Sequence, residues 1–242
     1  MKDETVAVRG RSIRLFRGGG GAPLLFLHDS FCSSWMPIHE KLSDHYEVFL
    51  PVHPGFAGSE QGFENFGAIE DMVFHYLDLC EALSLDRLIL AGASFGGWIA
   101  AEWAIRHGNI EKLILIDALG LRLPETPVGD ILGLEVIPET PKPEDMTAMI
   151  LARQTIARFG WQFPDNPNLQ RYLYRIRTPT LVIWGERDGF VPLAHGQAYH
   201  DGIRGSALVV VPNAGHLPHA EQATHCMQII LDFLGPDHKR AL

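Results

Sequence analysis

The sequence lacks the features that mark membrane and disulfide-rich proteins. Its 242 residues contain no apolar run near the roughly 20 residues of a membrane span. The N-terminus, MKDETVAVRGRSIRLF, has no apolar signal-peptide core. The three cysteines, Cys32, Cys80 and Cys226, include no CxxC pair, which argues against a disulfide framework and a structural zinc site. We therefore expect a reducing, cytoplasmic location.

Positive charge is also scarce. Lysine and arginine total 20 against 29 aspartates and glutamates, which gives a formal net charge of −9. A nucleic-acid binder needs a basic face to neutralise phosphates, and an anionic membrane surface attracts basic segments. The sequence thus predicts neither nucleic acid nor membrane as a partner. Its 46% hydrophobic and 20% charged residues are typical of a soluble globular protein.

Short continuous apolar runs alternate with helical patterns along most of the chain. An alternating stretch around Gly10 predicts a β-hairpin over 5–16. Continuous runs predict strands covered on both faces over 24–27, 48–52, 88–90, 113–116, 180–184 and 208–211. Apolar residues at helical spacing predict helices over 69–83, 95–107 and 220–234. Strands that alternate with helices indicate an α/β fold with a mainly parallel sheet.

The alternation of predicted strands and helices is interrupted between residues 119 and 178. The segment holds seven prolines and two predicted helices, 144–159 and 167–176, each beginning after a proline. We interpret 119–178 as a helical lid inserted into a single core domain formed by 1–118 and 179–242.

The strongest motif is Gly92-Ala93-Ser94-Phe95-Gly96, between the predicted strand 88–90 and the helix that follows. This is the context of a G-x-S-x-G nucleophile elbow. Small residues let neighbouring backbone pass closely, and the positive end of the helix lies behind the serine. Ser94 is therefore predicted to be a nucleophile rather than only a capping residue in a glycine-rich turn.

A serine nucleophile needs a histidine base and an orienting carboxylate. His216 follows the last strand, on the sheet edge predicted for Ser94, and His219 is a weaker alternative. Asp188 lies in the loop after strand 180–184, and Asp117, at the end of strand 113–116, is the rival acid. The chain order Ser, Asp, His favours Asp188 with His216.

A developing oxyanion needs two N–H donors. The residue after the nucleophile, Phe95, offers one. The loop after strand 24–27, His28-Asp29-Ser30-Phe31, offers the other, for which the N–H of Ser30 is the candidate.

These motifs resemble the α/β-hydrolase superfamily over nearly the whole chain, particularly its compact, short-lidded bacterial members. The shared features are the opening hairpin, the loop 28–31, HPGFAGS at 53–59, the elbow at 92–97, PTLVIWG at 179–185 and Gly215-His216. The resemblance implies an α/β-hydrolase fold, with helices on both faces of the sheet, and a serine hydrolase without a cofactor or metal.

One position departs from the family pattern. A glycine usually follows the histidine of the oxyanion loop, where this chain has Asp29. A carboxylate facing the oxyanion would oppose its charge. A carboxylate that instead accepts backbone N–H groups would hold the loop. We expect the second arrangement, in which Asp29→Gly lowers kcat.

Aromatic and apolar side chains flank the predicted site and suggest that a small apolar substrate binds there. Phe31, Trp35 and Leu217 lie beside the catalytic loops, and Trp161 and Phe163 lie between the two lid helices. The leading hypothesis is a carboxylesterase-like serine hydrolase that acts on a small apolar ester through an acyl-enzyme.

Other functions stay open at this stage. Carbon–carbon bond hydrolases and cofactor-free dioxygenases use related folds, and the latter would favour Asp117 as the acid. A non-catalytic binding protein is disfavoured because all three triad positions are filled. A metal site at His216, His219, Glu221 and His225 is weaker still, since the spacing is not HExxH.

Overall fold

The computed structural model describes residues 1–56, 58–59, 63–129, 150, 154–159 and 165–235. Its centre is one eight-stranded sheet with strand order β1-β2-β4-β3-β5-β6-β7-β8. The strands are β1 (Lys2–Val8), β2 (Arg11–Gly18), β3 (Pro23–Leu27), β4 (Glu47–Pro51), β5 (Leu88–Ala93), β6 (Ile110–Ile116), β7 (Thr180–Gly185) and β8 (Ala207–Val211).

The predicted strands form the parallel part of this sheet. Strands β4, β3, β5, β6, β7 and β8 pair in parallel, and only β2 runs antiparallel to its neighbours β1 and β4. Every residue of β5 and β7 is buried, as their continuous apolar sequences predict for strands covered on both faces. The register pairs Leu27 with Gly92 and Ile116 with Ile183. The loops after these strands therefore meet at one sheet edge.

Helices cover both faces of the sheet. They are α1 (Pro37–Ser43), α2 (Ile69–Leu83), α3 (Phe95–Ala104), α4 (Leu169–Tyr172), α5 (Leu193–Gly202), α6 (Pro218–Glu221) and α7 (Ala223–Leu234). Helix α2 has the predicted bounds. The predicted helix 220–234 is divided into α6 and α7, because Gln222 has φ −132° and ψ 49°, which are not helical angles. None of the helices in the described ranges has both the length and the apolar character needed to cross a membrane.

The predicted lid is described only in part. Residues 154–159 are helical, whereas the rest of the predicted helix 144–159 is outside the described residues except residue 150. The second predicted helix, 167–176, was too long. It is the four-residue α4 followed by a 3₁₀ turn, Leu173–Arg175.

The helical residues of this segment contact the core beside the elbow. Thr155 Oγ1 donates to the Gly55 carbonyl at 2.9 Å, and the Phe159 ring stacks 5.8 Å from that of Phe95. The Arg158 guanidinium donates to the carbonyls of Phe63 and Glu64 at 3.1 and 3.0 Å. These contacts hold residues 154–159 beside the elbow, and the lid over 119–178 stays a prediction.

Acid is expected to destabilise the fold through buried histidines, and His75 on α2 offers the sharpest test. Both of its ring nitrogens are buried without a hydrogen-bond partner among the described residues. Burial, together with the charge of Arg11, lowers the pKa of His75 from 6.5 to about 3. Between these values the unfolded state binds the extra proton, so stability is full above the unfolded pKa and falls as the pH drops.

We therefore expect His75→Phe to reduce the pH dependence of unfolding. The free energy of unfolding from urea titrations should fall less steeply between pH 6 and pH 4, by about 1.4 kcal/mol per pH unit. His225→Phe, at an exposed position of α7, is the matched control and should leave the slope unchanged. An unchanged slope for His75→Phe would show that His75 does not take up a proton on unfolding.

Candidate active site

Ser94 lies in a strained turn between β5 and α3. Its backbone has φ 50° and ψ −114°, outside the regions that L-residues ordinarily occupy. A Cβ at Gly92 would collide with the Gly96 carbonyl, and one at Gly96 would collide with the Leu27 carbonyl. The glycines of the motif thus permit the close backbone approach that the tight turn requires.

His216 contacts Ser94 directly. Its Nε2 lies 2.8 Å from Ser94 Oγ, and both residues are buried. The loop that carries His216 is braced by Glu221, whose carboxylate accepts the N–H groups of Gly215 and Leu217 at 2.7 and 3.0 Å. The geometry suits proton transfer between the hydroxyl and the imidazole.

Asp188 completes the line of hydrogen bonds. Its Oδ2 lies 2.8 Å from His216 Nδ1, and its Oδ1 accepts the N–H groups of Phe190 and Val191, both at 2.8 Å. Burial alone would raise the pKa of Asp188, but the hydrogen bond and charge of His216 outweigh it and hold the pKa below its usual value. The carboxylate is therefore the form that faces the imidazole.

The rival acid, Asp117, lies at the same sheet edge but is bonded differently. Its backbone is left-handed, with φ 42°, and its Oδ1 accepts the Gly185 N–H at 2.9 Å. Burial raises the pKa of Asp117 well above its usual range, and the neighbouring Asp188 raises it further. The protonated form of Asp117 is thus favoured beside Asp188, and within the described ranges no hydrogen bond joins Asp117 to His216.

Two backbone N–H groups are available near the serine. Within the described parts of the chain, the N–H groups of Ser30 and Phe95 donate to no protein acceptor. The Ser30 hydroxyl lies 3.2 Å from Ser94 Oγ, which places its loop beside Ser94. Phe95 opens α3, where the first N–H groups have no partner within the helix.

Asp29 has the arrangement that we expected from its turn-forming chemistry. Its Oδ1 accepts the N–H groups of Phe31 and Cys32 at 2.6 and 2.7 Å, and its Oδ2 lies 3.1 Å from His219 Nε2. Burial would raise the pKa of Asp29, but the hydrogen bond and charge of His219 hold it below its usual value. His219 is therefore engaged by Asp29, and the structure does not place it as an alternative base at Ser94.

Two buried histidines fix the start of this loop. His28 Nε2 accepts the His53 N–H at 2.9 Å, and His53 Nε2 donates to the His28 carbonyl at 2.8 Å. His28 Nδ1 donates to the Asp29 carbonyl at 2.7 Å. Burial lowers the pKa of His28 to about 4, so the ring is neutral at pH 7 and can accept the His53 N–H.

The structure brings some of the predicted pocket residues to the site. Phe31 lies with its ring centroid 5.9 Å from His216. Leu217 follows His216 directly and is half-buried. Trp161 and Phe163 lie outside the described residues.

Trp35 was predicted to line the pocket, and it contacts residues of β2 and α1. Its indole N–H donates to Glu40 Oε2 at 2.7 Å, and its ring lies 5.5 Å from His39 on α1. The ring also lies against Gly18 of β2. The indole thus packs into the space that the missing side chain of Gly18 leaves beside α1, and its place in the substrate pocket stays a prediction.

Phe190 is the site residue that the sequence analysis missed. Its ring lies 4.7 Å from that of His216 and 6.2 Å from that of Phe31, both edge-on. The sequence does offer a signal for Phe190 as a site residue, since it is an apolar residue two positions after Asp188 in a polar loop.

The weak metal hypothesis at His216, His219, Glu221 and His225 does not match the structure. His216 contacts Ser94 and Asp188, and His219 contacts Asp29. The Glu221 carboxylate accepts backbone N–H groups. Among the described residues, the one group close enough to share an ion is Asp117, Asp188 and His216. In that group the ring nitrogens of His216 already face Ser94 and Asp188.

Comparison with known proteins shows the same fold over the whole chain. The chain is 26% identical to 2-hydroxy-6-oxo-2,4-heptadienoate hydrolase of Pseudomonas putida, over 96% of each chain. A crystal structure of a bacterial membrane phospholipase A matches with a TM-score of 0.85 and 23% identity, covering 96% of this chain and 85% of that one. An esterase from Thermogutta terrifontis matches with a TM-score of 0.77 and 24% identity, covering 97% and 98%. The model of the alpha/beta hydrolase family matches residues 24–225, and the chain belongs to that family.

Proposed function

We propose that this hydrolase is a serine carboxylesterase that uses Ser94 as nucleophile, His216 as general base and Asp188 as the orienting acid. The observation that carries the proposal is the continuous line of two 2.8 Å contacts from Ser94 Oγ through His216 to Asp188. Ser94 attacks the ester carbonyl and passes its proton to His216, which then protonates the leaving alcohol. Water, activated by the same imidazole, releases the acid from the acyl-enzyme.

The unbonded N–H groups of Ser30 and Phe95 support the same mechanism. Preformed donors in a site of low dielectric stabilise the negative charge of a tetrahedral intermediate without reorganisation. Asp188 holds His216 with Nδ1–H towards the carboxylate, so that Nε2 is free to accept the serine proton.

The surroundings favour a neutral, apolar acyl group. Phe31 and Phe190 lie edge-on to His216 and to each other. Both side chains are uncharged, and the carboxylates of Asp29 and Asp188 would repel an anionic substrate. A short-chain ester is the substrate class that fits these contacts.

A second candidate rests on the Pseudomonas putida relative. The compound in its name has a ketone and a carboxylate but no ester, so its hydrolysis breaks a carbon–carbon bond. The same serine and histidine could act on such a ketone. The carboxylate would need a cationic partner, and the described side chains of Ser30, Phe31 and Phe190, which contact Ser94 or His216, carry no positive charge.

A covalent probe and a substrate pair test the two candidates. A p-nitrophenyl phosphonate should label Ser94 in the wild-type enzyme, as located by peptide mass spectrometry. We expect kcat/KM for p-nitrophenyl butanoate to exceed that for 2-hydroxy-6-oxo-2,4-heptadienoate by at least about 100-fold, or about 2.7 kcal/mol of transition-state binding. Faster, Ser94-dependent turnover of the dienoate would establish the second candidate instead.

A further inference from the structure

A second carboxylate–imidazole pair lies behind the oxyanion loop. Asp29 Oδ2 and His219 Nε2 are 3.1 Å apart, and each side chain is only 1% exposed. This pair is separate from His216 and Asp188, and the mechanism proposed above assigns it no step. Since a glycine is usual in the family where this chain has Asp29, the pair needs its own explanation.

Asp29 shapes the loop that faces the nucleophile. Its Oδ1 binds the N–H groups of Phe31 and Cys32, so the chain curls around the carboxylate. Ser30 stands between Asp29 and these two donors, with its hydroxyl 3.2 Å from Ser94 Oγ. The turn thus uses the two N–H groups that follow Ser30 and leaves that of Ser30 for the substrate.

His219 connects this loop to the loop of the proposed base. It lies on α6, three residues after His216, and its partner is 190 residues away in sequence. The contact therefore spans the two sides of the site, with the oxyanion loop on one side and the His216 loop on the other. His219 Nε2 faces Asp29, and Nδ1 has no partner among the described residues.

The same contact reduces an electrostatic conflict. A carboxylate near a developing oxyanion would oppose the charge that forms there. Three N–H donors converge on Asp29, two from its own loop and one from His219. Donors on both carboxylate oxygens spread its charge and hold it in one orientation.

We propose that Asp29 and His219 form a positioning pair, which fixes the Ser30 N–H opposite Ser94 by tying the oxyanion loop to α6. The inference rests on the proposed function, because it assigns Ser30 to the oxyanion hole. Neither residue touches the reacting atoms. Their effect should therefore be seen in transition-state binding and not in substrate binding.

Variants that remove the Asp29–His219 hydrogen bond, called the tie from here on, are compared with variants that keep it. Asp29→Gly removes the turn and the tie, and His219→Leu removes the tie alone. Asp29→Asn keeps the acceptor for the two N–H groups, and its amide N–H can donate to His219 Nε2 when the ring proton is on Nδ1. His219→Gln keeps a donor of similar reach. The double variant Asp29→Gly/His219→Leu leaves no unpaired buried carboxylate, so it serves if His219→Leu folds poorly. His225→Leu, at an exposed position of α7, is the control for losing a histidine.

For p-nitrophenyl butanoate, we expect Asp29→Gly and His219→Leu to lower kcat by about 10- to 100-fold, with KM within about threefold, because a misplaced donor weakens the transition state. Affinity for a trifluoromethyl ketone, which forms a tetrahedral oxyanion adduct, should fall in parallel. The two conservative variants should keep kcat within about threefold of the wild-type value. The double variant should be no slower than Asp29→Gly, since the two residues act as one unit.

Three results would overturn the proposal. The first is an unchanged kcat in both Asp29→Gly and His219→Leu. The second is an equal decrease of kcat in His219→Gln and His219→Leu. The third is a decrease of kcat in the double variant that equals the product of the two single decreases. Hydrogen exchange of the Phe31 and Cys32 amides tests the tie without any catalysis, and it should be faster in His219→Leu than in His225→Leu. Absence of phosphonate labelling in the wild-type enzyme would overturn the proposed function, and the exchange rates would still decide whether the tie exists.

Discussion

Replacing Ser94 with alanine is expected to lower kcat for p-nitrophenyl butanoate by about 10⁴- to 10⁶-fold, because the nucleophile and the proton donor to His216 are lost together. The binding site and the two backbone N–H groups remain, so a small residual rate over the uncatalysed reaction should persist. Labelling by the phosphonate should disappear. The measurement is steady-state hydrolysis of the ester, with thermal unfolding to verify the fold.

Ser84→Ala provides the matched control for this variant. Ser84 also has a left-handed backbone, with φ 57°, but it is exposed at the end of α2. Its replacement measures how the loss of a serine side chain at positive φ changes thermal stability when the site is untouched. We expect kcat to be unchanged. A folded Ser94→Ala protein with wild-type kcat would rule out the serine-hydrolase mechanism.

The second large effect should separate the two buried acids. Asp188→Asn is expected to lower kcat by about 10⁴-fold, because an amide favours the wrong tautomer of His216 and cannot stabilise the imidazolium. Asp117→Asn should stay within about threefold of the wild-type kcat, since an amide resembles the neutral acid in shape and keeps an acceptor for the Gly185 N–H.

Both substitutions replace a buried aspartate at the same sheet edge, so each is the control for the other. Kinetics with the same ester and thermal unfolding of both variants give the comparison. A large loss in Asp117→Asn with a tolerated Asp188→Asn would transfer the orienting role to Asp117. That result would favour the arrangement considered for cofactor-free dioxygenases.

Much of the fold follows from local sequence pattern. The helix over 69–83 and six strands are predicted because the apolar spacing of each element reflects its own geometry. Burial on both faces was wrong for β8, since it is the last strand of the sheet and Val210 is exposed. Helices α1 and α5 were missed. Helix α1 is only seven residues long, and α5 buries His195 and Gly196, so neither shows an extended apolar pattern. Short helices are determined by the surfaces on which they pack.

The sequence by itself located the strained turn at Ser94, because the glycines that permit this turn lie within a few residues of it. It also limited the acid to Asp188 or Asp117, since each ends or follows a strand at the same edge. Only the tertiary structure distinguished them, since β6 and β7 are neighbours and the direction of each side chain decides which carboxylate meets His216. The Asp29–His219 contact likewise depends on the tertiary structure, because it joins residues 190 positions apart that local pattern cannot relate.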